Sequence, residues 1–161
     1  MNRNYLIGAA ILVLLIAGAK KTLSSTVRGI RNKNPGNIRD KGQNTWEGQN
    51  GNDGDFAIFI SPEFGIRALA RLLMNYESLY GLNTVAGIIS RYAPSTENNT
   101  GAYVSSVASA LGVDPDTSFS VVAKLPELVK AIIKHENGQQ PYSDDLINTG
   151  IDMAVSGFAY A

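Results

Sequence analysis

The sequence predicts a mainly helical domain of α+β type with a small β-hairpin, preceded by an N-terminal transmembrane helix. Three observations lead there. An uncharged apolar run extends from Tyr5 to Ala19. Five later segments carry helical periodicity with matching start and stop residues. A short alternating stretch, Asp55 to Ile60, follows a tract rich in Asn and Gly.

The apolar run holds fifteen residues without a charge, roughly 22 Å of helix at about 1.5 Å per residue. A hydrocarbon core is nearer ~30 Å, so the span is short. Tyr5 suits one interface, and Lys20 and Lys21 can snorkel at the other. A cleaved secretory signal is the competing reading, because Ala17-Gly18-Ala19 looks like a small-residue cleavage site. The two lysines directly after it favour retention. Residues 1–21 are therefore read as the anchor, 22–27 as a linker and 28–161 as the globular domain, with a lipid membrane as one partner.

Beyond the linker, Arg28 to Gly54 reads as loop, with Asn34-Pro35-Gly36-Asn37 a strong turn signal and Trp46 the one tryptophan. Asp55 to Ile60 then supplies a β-ribbon. Ser61-Pro62-Glu63 starts the longest helix, in which Ile66, Leu69, Leu73, Tyr76 and Tyr80 share a face until Gly81. Asn83-Thr84 caps a second helix that Pro94 stops. A third runs from about Thr100 to Gly112, and a fourth from about Pro126 to Asn137-Gly138. Ser143-Asp144-Asp145 opens a fifth through Leu146, Ile147 and Ile151.

Composition narrows the chemistry. Of 161 residues, 44% are hydrophobic and 17% charged, which suits one packed core rather than a disordered chain. Cysteine is absent and His135 is the one histidine, which excludes thiol nucleophiles and His- or Cys-rich zinc sites. No phosphate loop, dinucleotide fingerprint or calcium loop appears, so no cofactor and no metal is expected. Carboxylates remain. Net charge is zero but uneven: through Lys41 there are eight basic residues against one acid, a net +7, and the remainder carries −7. That basic stem either faces an anionic polymer or surface, or is neutralised within the fold. Aromatics are not interleaved with it, which argues against nucleic acid as a partner.

Glu136 is the acid singled out by helix geometry. Leu128, Ile132 and Glu136 are spaced i, i+4, i+8, so the carboxylate continues an apolar stripe and is brought towards the core or a groove at the helix end. A glutamate turned to solvent is the plain alternative. Asn32, Asn34, Asn37, Trp46 and Tyr92 suit carbohydrate, with amides for hydroxyls and rings for apolar sugar faces, although core packing explains the rings equally well. Glu97 sits in a polar loop that either lines a sugar cleft or merely joins helices. Glu47, Asp53 and Asp55 are the places to look for a second carboxylate.

Several motifs occur together: Arg28-Gly-Ile-Arg-Asn-Lys-Asn-Pro-Gly-Asn-Ile-Arg39, Trp46-x-Gly48, Phe64-Gly-Ile-Arg-Ala68, Gly81-Leu-Asn-Thr-Val85, Ile89-Ser-Arg-Tyr-Ala-Pro94, Glu97-Asn-Asn-Thr100 and His135-Glu-Asn-Gly138. The set resembles a family of phage-encoded virion proteins, often labelled only as structural, some of them regarded as peptidoglycan-degrading transglycosylase-like domains. A second resemblance is to lysozyme-like glucosaminidases and transglycosylases, in which an apolar helix ends in the catalytic glutamate and is followed by an Asn-rich loop, a Trp-x-Gly and another helix. Here the glutamate-ending helix comes last, which implies a circularly permuted lysozyme-like domain. Only the general acid/base role carries over, to Glu136. The resemblance implies a virion-associated peptidoglycan lytic enzyme, a transglycosylase or muramidase seated in a virion membrane or at the bacterial inner membrane and periplasm. Its implied partners are glycan strands and other virion proteins; the residue types themselves, not the resemblance, make Asn34, Asn37, Trp46, Tyr92 and Glu97 the candidate substrate contacts. A non-catalytic virion membrane protein that binds glycan or coat protein is the alternative.

Overall fold

The computed structural model of the chain describes residues 27–42, 46–96, 98–156 and 158. The apolar run and most of the linker lie outside them, as does Glu97. Among the described residues no helix is long and apolar enough to cross a membrane. Six helices and one two-stranded sheet follow in the order α1 (Arg28–Arg31), β1 (Gln49–Asn52), β2 (Ala57–Phe59), α2 (Pro62–Tyr80), α3 (Val85–Tyr92), α4 (Thr100–Leu111), α5 (Leu125–Asn137) and α6 (Asp144–Val155). The mainly helical expectation with a small β element holds for these residues.

The predicted helix ends hold because each carries a chemical stop. Thr84 and Ser143 accept backbone N–H bonds from Gly87 and Leu146, satisfying donors the first turn leaves open. Gly81, Gly112 and Gly138 each close a helix at φ 66°, a left-handed conformation that glycine adopts without a Cβ penalty. Ser61 departs from expectation: it makes no capping bond to the backbone. Its hydroxyl instead serves Glu63, whose carboxyl is held below the usual range chiefly by that bond.

Helix α5 is the centre of the packing, touching α1, α2, α4 and α6. Leu128, Val129, Ile132 and Ile133 are all fully buried on it. Helix α6 lies along α2, and Gly150 permits the approach, since a Cβ there would come within 2.7 Å of Ile66 and 2.8 Å of the Glu63 carbonyl. Tyr80, assigned to the buried face of α2, is 53% exposed. It occupies the last residue of a helix that has outrun the core.

The Asn- and Gly-rich tract is more ordered than its composition predicts, and α1 is a turn of helix that the loop reading missed. Four residues are too few to form a stable helix alone; tertiary bonds hold this one. Arg28 donates to Asp53 through Nε at 2.7 Å and Nη2 at 2.8 Å, and Asn32 donates to the same carboxylate at 2.6 Å. Strands β1 and β2 pair antiparallel, Gln49 with Phe59 and Asn52 with Ala57, with a bulge between.

The Arg28 guanidinium, then burial opposing it, then Asn32, set the Asp53 carboxyl; the donors win and hold it far below the usual carboxylate range. A depressed folded pKa contributes stability above the unfolded value, near ~3.9, and that stability is lost as pH falls towards the folded value. Urea midpoints are therefore expected to drop from pH 5 to pH 3, and the drop should be shallower in Asp53→Asn. An unchanged slope in that variant would remove Asp53 from the account.

Candidate functional site

The turn from Asn34 to Asn37 and the end of α5 are stapled together. Asn137 donates through Nδ2 to the Pro35 carbonyl at 2.7 Å and to the Ile133 carbonyl at 2.8 Å. Asn37 sits at φ 47°, a left-handed conformation that asparagine tolerates better than most residues. Its amide reaches Glu136, donating to Oε2 at 2.9 Å. From the other side the Tyr103 hydroxyl donates to Oε1 at 2.8 Å. Both carboxylate oxygens are thus fixed by donors from two different elements.

The phenols around Glu136 are locked as donors. Burial, then the neighbouring Tyr92 and the Glu136 charge, raise Tyr103 far above the ordinary phenol value. Burial likewise pushes Tyr92 well up, and its hydroxyl donates to the Gly36 carbonyl. The Tyr92 and Tyr103 rings meet edge to face at 6.4 Å, and His135 stacks on Tyr103 at 3.6 Å. His135 is exposed and flanks Glu136 from the outer side of that stack.

Glu136 opens into a groove of about 320 Å³ whose walls include Asn37, Trp46, Phe56, Tyr76 and Tyr92. Two further hollows continue it. One, about 280 Å³, shares Asn98 and Glu136 with the groove and adds Asn99, Tyr103 and His135. The other, about 460 Å³, shares Trp46, Leu72 and Tyr76 and adds Asn75, Tyr80 and Arg91. Glu136 therefore stands where two hollows of a continuous trough meet, with aromatic rings along one arm.

Of the sequence-predicted contacts, Asn37, Trp46 and Tyr92 line this groove with Glu136. Asn34 does not, which corrects its assignment as a substrate contact. It is fully buried, and its amide is consumed by the Ile38 carbonyl, the Ala57 carbonyl and the Ile38 N–H, each at 2.9 Å. Asn32 is likewise buried and committed to Asp53. Trp46 is half-buried with an Nε1 that finds no acceptor among the described residues. Its loop is fixed by Gly48 at φ 74°, where a Cβ would run into the Phe64 ring.

The other acids are occupied elsewhere. Asp53 is held by Arg28 and Asn32 and Asp55 lies 3.3 Å from Arg28, while Glu47 pairs with Arg67. Glu136 is the one carboxylate among the described residues of the groove. No group of three His, Asp or Glu among the described residues is arranged to hold a metal ion. Tyr103 is the contact that sequence reasoning missed. It reads as one more apolar-stripe residue of α4, although a buried phenol requires a hydrogen-bond partner and so signals a polar group nearby.

No family model matches the sequence. Protein P5 of Pseudoalteromonas phage PM2 is 35% identical over 161 aligned residues, covering 98% of this chain and 100% of that protein.

Proposed function

The chain belongs to the family of Protein P5 of Pseudoalteromonas phage PM2, and from that premise we propose that it is a virion-associated peptidoglycan lytic enzyme of single-carboxylate type. The observation that carries the reading is the position of Glu136 at the junction of two hollows, with both carboxylate oxygens held by Asn37 and Tyr103. A polymer lying in the trough places one linkage at that junction.

In this mechanism Glu136 gives its proton to the glycosidic oxygen between two amino sugars. The carbon–oxygen bond breaks, the leaving sugar keeps the electron pair and the proton, and an oxocarbenium-like centre forms. The sugar's own 6-hydroxyl adds to that centre and returns its proton to Glu136, so an anhydro sugar is the product and no second carboxylate is needed. Trp46 and Tyr92 offer rings to sugar faces, and Asn98 offers an amide to hydroxyls, while Asn37 spends its amide on holding Glu136. The Tyr5 to Ala19 segment confines the cutting to a membrane-proximal spot, which suits local opening of the wall during genome delivery.

Incubating detergent-solubilised full-length protein with purified peptidoglycan tests this. Soluble muropeptides bearing anhydro ends are expected. Pull-down on peptidoglycan with no muropeptide release would instead mark a non-catalytic glycan-binding virion protein.

A further inference from the structure

We propose that the hollow around Arg91 is a subsite for a carboxylate of the peptide stem that the glycan carries; this rests on the reading of the trough as a glycan site. Arg91 lies in the last turn of α3 and is exposed. Its guanidinium is centred 3.7 Å over the Tyr80 ring and 5.3 Å from the Tyr76 ring centroid. Those two rings meet edge to face at 6.4 Å, so together they form a shelf for the planar cation. Cation–π contact holds the guanidinium by its face and leaves its in-plane N–H donors directed outward.

Three other arginines of the fold are spent on internal partners. Arg28 is bound to Asp53 and Asp55, Arg67 to Glu47, and Arg71 to the Ser156 carbonyl. No acid among the described residues pairs with Arg91. A positioned cation that no acid among the described residues pairs with is set up for an external anion, and a guanidinium fork matches a carboxylate in two parallel bonds. Asn75, in the same hollow, offers an amide beside it.

Continuity with the trough decides which anion. The Arg91 hollow shares Trp46, Leu72 and Tyr76 with the groove that holds Glu136. In stem-bearing wall glycan the lactyl carboxyl of each muramic acid is tied up as the amide that holds the stem, so the sugar chain itself is neutral and gives Arg91 nothing to pair with. The anionic groups that travel with such a chain in the wall are the carboxylates of its peptide stems. A strand seated over Glu136 with a stem leaning towards α3 brings one of them to Arg91, so the protein distinguishes stem-bearing from stripped glycan.

Binding is measured with full-length protein in detergent, in a Glu136→Gln background so that the ligand survives. The probes are soluble glycan chains with intact stems and the same chains stripped of stems by an amidase, with the lactyl carboxylates that the amidase frees then converted to primary amides so that the stripped chains are neutral. The intact form is expected to bind about tenfold more tightly, the factor for one partly exposed charge-assisted pair, and added salt should shrink that preference. In Arg91→Gln the ratio is expected to fall towards one, and in Arg91→Lys to be partly kept. A ratio unchanged in Arg91→Gln, or no preference in the parent, overturns the subsite while leaving the glycan reading intact. Failure of both probes to bind overturns the glycan reading and the subsite with it.

Discussion

Glu136→Gln is expected to lower muropeptide release by about 10²–10⁴-fold, the contribution of a positioned general acid, while leaving the protein folded. Glutamine keeps the length and the apolar stem, so an oxygen can still accept from Tyr103, which donates at 2.8 Å. What it lacks is a proton to give. The substitution also turns one oxygen into a donor facing the Asn37 amide, a local mismatch that should show as a small drop in melting midpoint. Glu136→Asp is the informative companion. It keeps the acid but shortens the arm by one methylene, out of reach of both donors, and should lose nearly as much activity. Tyr103→Phe leaves the acid in place but removes one of its two fixing bonds, so it should fall between the parent and Glu136→Gln. Rates are read from chromatographic release of soluble muropeptides under one set of conditions. A Glu136→Gln protein that retains a tenth or more of the parent rate would remove Glu136 from the chemistry.

The elements that were legible in the sequence are those with local chemistry. Thr84 and Ser143 announce helix starts, and Gly81, Gly112 and Gly138 announce stops, because caps satisfy backbone groups regardless of what packs around them. Glu136 was legible for a similar reason. Helix periodicity alone carries the Leu128–Ile132 stripe to it, and the structure continues that line into the groove. Asn34 and Asn37 show where local reading ends. They are the same residue type three positions apart in one turn, yet Asn34 is fully buried in backbone bonds and Asn37 reaches Glu136. What separates them is the left-handed backbone at Asn37, fixed by α5 some hundred residues further on. Helix α1 and the bond from Tyr103 to Glu136 have the same origin, since each depends on a partner far along the chain.

Gly29→Ala is expected to cost about 1–3 kcal/mol of stability through overpacking and, beyond that, to lower activity by roughly 10²-fold through a displaced acid. In an ordinary helix this substitution stabilises, since alanine loses less backbone freedom on folding. Gly29 is buried in α1, and a Cβ there would lie 2.5 Å from Asn137 Oδ1, 2.9 Å from Asn37 Oδ1 and 3.0 Å from the Asn34 carbonyl. Neither amide oxygen has an N–H or O–H partner among the described residues. Both oxygens crowd the space a side chain on Gly29 would need. Asn37 is the residue whose Nδ2 holds Glu136, so a methyl group on Gly29 pushes the acid through one intermediary. Gly101→Ala is the matched control: it is also helical, its nearest neighbour to a new Cβ is 4.0 Å away, and it should be neutral or slightly stabilising. Asn37→Ala separates positioning from simple misfit. If Gly29 acts through Asn37, adding Gly29→Ala to Asn37→Ala should cost little further activity although stability still falls, a non-additivity that a double-mutant cycle measures. Fully additive activity losses would place the effect of Gly29 in the fold alone.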